Sequence, residues 1–308
     1  MKLRAGDDSD ELKYATYFVD LTEKDRILYA DPRIVDTVIT DLQATFQTLT
    51  SGGNSESSAA NPRLPETSFF CETEPYEPLS HLLNKIIDTA SPYISQSHLR
   101  GLRFHPFGGE VNEIYGCQRR LKPDGVGIIG DLPRPKEPTD ETARRGLRKR
   151  VISWNQIEVV FESKANVKDM VLQSGSYARL CMLSNQRRSF SLGIGFQYKA
   201  LEAYVFVFHH AGLSSSRALN ISTQEGFNGL VKYIVGILSI KDEAAYGLDL
   251  TRIGNFFHIN NRYYESVCLL HMRGSMRGCS TIVHKLQGMY MQILICVTLL
   301  IYRIPSYR

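Results

Sequence analysis

The chain lacks several common signatures, and each absence removes a class of protein. Its six cysteines (Cys71, Cys117, Cys181, Cys268, Cys279 and Cys296) show no paired spacing, and no C-x-x-C occurs. The usual signature of structural zinc is therefore missing, and the thiols read as reduced, buried, small apolar groups. No apolar secretory segment opens the sequence, which predicts an intracellular protein without choosing between cytoplasm and nucleus. The formal net charge is only +4 over 308 residues, so bulk charge does not imply a nucleic-acid partner. No internal repeat is present. The longest apolar run, residues 289–302, has 14 residues. As a helix it would span about 21 Å, short of the roughly 30 Å of a bilayer core. No membrane span is expected, and the run reads as a poorly packed or buried tail.

What is present suits a packed domain. Hydrophobic residues make up 43% of the chain, enough for one large core or two smaller ones. Residues 1–50 read as helical in pieces, with Asp31 and Pro32 opening a helix whose apolar stripe includes Val35, Val38 and Leu42. Residues 51–67 are rich in Ser, Gly, Asn, Ala and Pro and read as a flexible linker. Residues 75–90 predict an amphipathic helix with Leu79, Leu82, Leu83, Ile86 and Ile87 inward and Glu77 in its first turn.

The run from Trp154 to Lys164 predicts a strand, with Ile157, Val159 and Phe161 on one face and Val160, Glu162 and Lys164 on the other. Residues 132–150 predict an exposed loop before it, and residues 167–183 a helix after it. Strands are expected at Phe190–Phe196 and Ala203–His209, joined by a hairpin through Gln197–Glu202, with a helix capped at Thr223 beyond them. This order predicts an α+β chain with a mixed β-sheet flanked by helices.

The candidate chemistry gathers around that strand. Pro123-Asp124 precedes a second apolar run (Val126, Ile128, Ile129), so Asp124 and Glu162 can project from neighbouring strands. Two hard oxygen ligands with a lysine form a candidate magnesium site. In phosphodiester hydrolysis, Asp124 and Glu162 would hold the metal, and Lys164 would orient water or stabilise charge. Gln173 and Tyr177, four apart on the next helix, could contact a nucleic-acid backbone. The basic loop Arg144–Arg150 offers such a partner a second contact. The same residues also fit a charged strand end, a turn before Gly125 and an ordinary helix at the core margin. His209-His210 reads as structural, because neighbouring strand residues diverge. Ser214–Arg217 reads as a serine turn rather than a phosphate site, and Lys241-Asp-Glu243 as a polar cap.

Pro123-Asp124, Glu162-Ser-Lys164 and the Gln173/Tyr177 spacing resemble the restriction-endonuclease-like PD-(D/E)xK superfamily and, for the helix pair, its recombination-nuclease branch. The resemblance implies a restriction-endonuclease-like core and a magnesium-dependent nuclease or nuclease-derived nucleic-acid binder. The 38-residue step from Asp124 to Glu162 is long for that pattern and requires an inserted loop.

A second resemblance rests on longer strings. The stretches Gln186–Phe196, Phe208–Arg217 and Gly236–Arg252 are similar to the fungal-type protein kinase family of mushroom-forming fungi, over roughly residues 70–285. Membership implies ATP-dependent phosphoryl transfer. Yet no H-R-D, D-F-G or G-x-G-x-x-G occurs, and Arg277–Val283 resembles only the first strand-turn-strand of a kinase small lobe. The resemblance therefore implies a truncated, pre-catalytic portion with a regulatory or partner-binding role and no ATP site of its own. The expected organisation is a helical segment (1–50), a linker (51–67), a restriction-endonuclease-like α+β domain (68–250), an incomplete small-lobe start (251–288) and an apolar tail (289–308).

Overall fold

The computed structural model describes residues 28, 30–51, 76–107, 110–112, 121–132, 151–209, 212–259, 261–272, 282–287 and 292–295. Helix α1 (Pro32–Ser51) begins where Asp31 accepts a hydrogen bond from the backbone N–H of Arg33 at 2.9 Å, with Pro32 pre-set for the first turn. Helix α2 (Tyr76–Ala90) buries Leu79, Leu83, Ile86 and Ile87, the stripe read from the sequence. Most of the expected linker, the loop at 133–150 with its basic cluster, and residues 296–308 of the tail lie outside the described residues.

A mixed sheet forms the centre. Its strands are β1 (Leu102–Pro106), β3 (Gly125–Ile129), β5 (Val159–Lys164), β6 (Phe190–Gln197), β7 (Glu202–His209) and β8 (Gly212–Ser215), paired in that order. A short β9 (Leu219–Asn220) also pairs with β7. Strands β2 (Glu110–Asn112) and β4 (Val151–Ser153) form a separate parallel pair. Among the described residues, only β5 and β6 run parallel within the large sheet. A parallel pair needs a crossover, which helix α3 (Val167–Ser184) supplies. The β6–β7 hairpin pairs Gln197 with Glu202, as the sequence suggested.

Both faces of the sheet are covered. On one face α1, α2 and helix α4 (Gln224–Leu238) pack over Val159, Phe161, Leu192, Ile194 and Val205. On the other, α3 packs over Val160, Phe206 and Phe208. Gly195 lets α3 approach: a Cβ there would stand 2.5 Å from the Met170 sulfur. Thr223 caps α4 by accepting from the Gly226 N–H.

Two expectations change here. The strand read from Trp154 starts only at Val159, because Trp154–Gln156 form a 3₁₀ turn closed by the Gln156 side chain on the Ser153 N–H at 2.8 Å. Ile157 thereby leaves the strand and packs with Val160 rather than with Val159. Of the two cysteines whose side chains are described, Cys181 is buried but Cys268 is exposed, so the thiols are not uniformly core groups.

A second sheet is entirely antiparallel: β10 (Arg252–Ile253), β11 (Phe256–Ile259), β12 (Arg262–Met272), β13 (Ile282–Gln287) and β14 (Gln292–Ile295), in that order. The first part of the apolar tail is thus a paired strand, not loose chain, since Leu286 stands opposite Ile293. Among the described residues, no helix is long and apolar enough to cross a membrane.

The segment between the sheets docks on the first through Arg188, whose side chain is 1% exposed. Its guanidinium donates to the Ile157 carbonyl at 2.7 Å and the Glu158 carboxylate at 2.8 Å, and lies over the Tyr246 ring. Tyr246 in turn donates to the Glu158 carbonyl. Backbone bonds from Ser189 to Gly247 and from Asp249 to Arg187 complete the seam. Removing one partner of a buried ion pair leaves the other uncompensated. Arg188→Ala is expected to lower unfolding free energy by about 3 kcal/mol in urea denaturation; a change within about 0.5 kcal/mol, the range of ordinary surface substitutions, would contradict this reading of the seam.

Candidate functional site

The antiparallel register of β3 and β5 sets Gly125 opposite Phe161, which brings Asp124 alongside Glu162 and Ser163. Glycine is needed at 125, since a Cβ there would lie 2.4 Å from the Phe161 ring. Asp124 Oδ2 accepts from the Ser163 N–H at 2.9 Å and from the Lys164 ammonium at 3.0 Å. The Asp124 N–H points to Glu162 Oε2 at 3.4 Å. Lys164 also makes an ion-pair contact with Glu162 Oε1, although that oxygen has no hydrogen bond of ordinary geometry. Side-chain exposure falls from 26% at Lys164 to 13% at Asp124 and 0% at Glu162, so the pair closes inward.

Helix α3 supplies the flank. Gln173 donates to the Tyr177 hydroxyl at 2.5 Å, and that hydroxyl donates to the Lys122 carbonyl at 2.7 Å. Tyr177 is fully buried and stacks on Trp154 at 5.7 Å. The five site residues singled out in the sequence are therefore brought together. Tyr177 holds the loop that leads into Asp124, and its hydroxyl is already engaged there. Sequence reasoning passed over Tyr76, the first residue of α2, whose phenol lies near enough to Asp124 and Glu162 to feel their charge. Only its place beside Glu77 marked it, and Glu77 itself points to solvent in the first turn.

The electrostatics follow from two carboxylates sharing one ammonium. Burial first, then the charge of Asp124, pushes the Glu162 carboxyl up to about 8 despite Lys164. Burial alone would lower Lys164, but Glu162 and Asp124 together hold it above its usual value. Burial and the nearby Asp124 raise Tyr76 to about 12, and burial with Glu162 raises Tyr177.

Asp124 and Glu162 are oxygen donors of the kind magnesium takes. They number only two, and among the described residues no group of three or more His, Cys, Asp or Glu could hold a metal. The point where the two carboxylates converge is filled by the Lys164 ammonium.

Other marked residues take structural places. Ser216 accepts from the Val205 N–H and Ser215 donates to the Ser216 carbonyl, so both hydroxyls are engaged. Arg217 lines a cleft of about 340 Å³ beside Asn220 and Lys232. Asp242 caps the turn at Ala245, and Glu243 pairs with Arg187. His209 ends β7, and His210 lies outside the described residues.

Fold and site together define an α+β protein whose mixed sheet carries a carboxylate–lysine cluster where β3 meets β5. Residues 139–289, just under half of the chain, match the family model described as Fungal protein kinase, which supports kinship with that family. The matched stretch holds Glu162, Lys164, Gln173 and Tyr177, while Asp124 precedes it. No curated protein and no solved structure matches the chain.

A carboxyl whose proton affinity is higher folded than unfolded favours the fold most at low pH, and that contribution is lost as pH rises through the folded value. Unfolding free energy is therefore expected to decline between about pH 5 and about pH 8, and Glu162→Gln to flatten that slope. Denaturant titrations across the range check it; an unchanged slope in the variant would contradict the assignment to Glu162.

Proposed function

We propose that this chain is the pre-catalytic portion of a fungal-type protein kinase family protein, acting by regulation or partner binding rather than by phosphoryl transfer. The observation that carries this reading is the family match, which spans the last strands of the first sheet, the Arg188 seam and all of β10–β13. In this reading residues 68–250 form one domain and residues 251–288 begin a kinase small lobe, although most of Arg277–Val283 lies outside the described residues. A working kinase also needs a catalytic-loop Asp, a metal-binding Asp before Phe-Gly, and a glycine loop over the phosphates. None of those motifs is in the sequence. The melting temperature is expected to be unchanged by magnesium-ATP at millimolar concentration. A clear ATP-dependent shift would overturn the proposal.

A second reading is favoured by one observation: Asp124, Glu162 and Lys164 converge, on a chain order of α2, β1, β3, β5, α3 and β6. In it the first domain is a restriction-endonuclease-like core, either a magnesium-dependent nuclease or a nucleic-acid binder derived from one. A magnesium ion held by Asp124 and Glu162 would supply Lewis-acid activation of a phosphodiester. For its part, Lys164 would stabilise developing charge, Tyr76 would orient Asp124, and Tyr177 with Gln173 would fix the Lys122–Asp124 loop. Plasmid nicking in magnesium that Glu162→Ala abolishes is the expected result for an active site. Equal nicking by both chains, or none by either, removes the enzyme.

A further inference from the structure

We infer that the outward face of the second sheet, around Phe256 and Tyr263, binds single-stranded RNA by stacking its bases on those rings. The inference rests on neither reading above, since it uses no residue of the carboxylate–lysine cluster and no phosphoryl transfer.

Register defines the face. Directly opposite residues of an antiparallel pair lie on one side of the sheet, as do residues two apart on a strand. His258 stands opposite Tyr263, Phe256 opposite Glu265, and Glu265 opposite Gln287, so these five share a side. The other side is the covered one, where Phe257 and Leu286 are buried. An antiparallel sheet with one solvated face ordinarily turns polar residues to water. Here five of the eight exposed large hydrophobic residues among the described residues fall within 250–267, which makes this the main apolar patch. Its two aromatic members are 47% exposed at Phe256 and 59% at Tyr263, and Tyr263 stacks on His258 with ring centroids 4.7 Å apart.

Charge selects the occupant. Residues 252–287 contain five Lys or Arg and one carboxylate, Glu265, an excess of four that equals the net charge of the whole chain. A second copy would bring the same excess to the face and be repelled, whereas a polyanion is drawn to it. Outward rings stack any unpaired base, as sheet-borne aromatics do in single-strand recognition, while bases inside a duplex have no free face to offer. Glu265 stands in one transverse row with Phe256 and Gln287, so it meets whatever the ring holds. A carboxylate there needs a donor rather than a phosphate, and RNA supplies a ribose 2′-hydroxyl on every nucleotide besides the base amino groups. Gln287 can both donate and accept. Lys285, two residues before Gln287 and so on the same face, is placed for a phosphate.

The test uses the full chain and fluorescence anisotropy with a labelled RNA of about 12 nucleotides, the length a sheet-sized site covers. A DNA strand of the same sequence and the RNA duplex serve as competitors. The single-stranded RNA is expected to bind tightest and to weaken with salt. Phe256→Ala and Tyr263→Ala are each expected to weaken it about 5- to 100-fold, the loss of one stacked base. Lys285→Ala is expected to lower the salt slope by about 0.7, one phosphate contact on a single strand. If an alanine variant melts lower than the unaltered chain, Phe256→Leu or Tyr263→Leu, which keeps bulk without a flat ring, is scored in its place and is expected to weaken binding likewise. Absence of RNA binding would overturn the inference, as would DNA or duplex bound as tightly as the RNA. Displacement of the RNA by polyglutamate at equal charge would assign the face to an acidic protein, and self-association relieved by Tyr263→Ala would assign it to a second copy; either overturns the inference. Unchanged affinity in both ring variants would place RNA elsewhere on the chain, overturning this inference while leaving the nuclease-derived reading standing.

Discussion

The constraint on which this structure depends is an acidic side chain with no access to water in the middle of a sheet. Glu162 is 0% exposed on β5, with strands on both sides. A lone buried carboxylate is costly enough that it takes up a proton or finds a partner. Here it does both. Lys164, two residues on and so on the same face, brings an ammonium to it, and its proton affinity rises toward neutral pH. Asp124 shares that ammonium and takes the Ser163 N–H, which ties the start of β3 to the end of β5. The pH response of the cluster follows from the raised proton affinity of buried Glu162.

A second buried charge does for the seam between the sheets what Lys164 does for the cluster. Arg188 satisfies the Ile157 carbonyl and the Glu158 carboxylate just before β5, while Tyr246 closes over it from the segment leading to β10. One strand thus has a buried ionic contact at each end: Glu158 precedes it and Glu162 with Lys164 finishes it. Tyr246 and Arg188 thus join the segment that leads to the second sheet to the residues just before β5.

Much of this was legible because it depends on local chemistry. Asp31-Pro32, the α2 stripe, the β6–β7 hairpin and the Thr223 cap are each set by a few neighbouring residues, and the structure has them where those residues point. The site was legible in a different way. Period-two alternation put Glu162 and Lys164 on one face, but only a long-range pairing could bring Asp124 to them across 38 residues. What escaped was decided by tertiary contacts. Tyr76 becomes a site residue because α2 packs on β1. Gln156 turns the head of an apparent strand into a 3₁₀ turn by bonding Ser153. Gln292–Ile295 become a strand because β13 offers a free edge, although their composition alone fits a helix equally well.

The central claim is that Asp124 and Lys164 are energetically joined over buried Glu162, not merely near one another. A double-mutant cycle with Asp124→Asn and Lys164→Met, read by urea denaturation at pH 7, measures that coupling directly. The account predicts that the two changes are non-additive by about 1 kcal/mol or more, as for contacting members of one network. Additivity to within about 0.3 kcal/mol, as for independent sites, would contradict it.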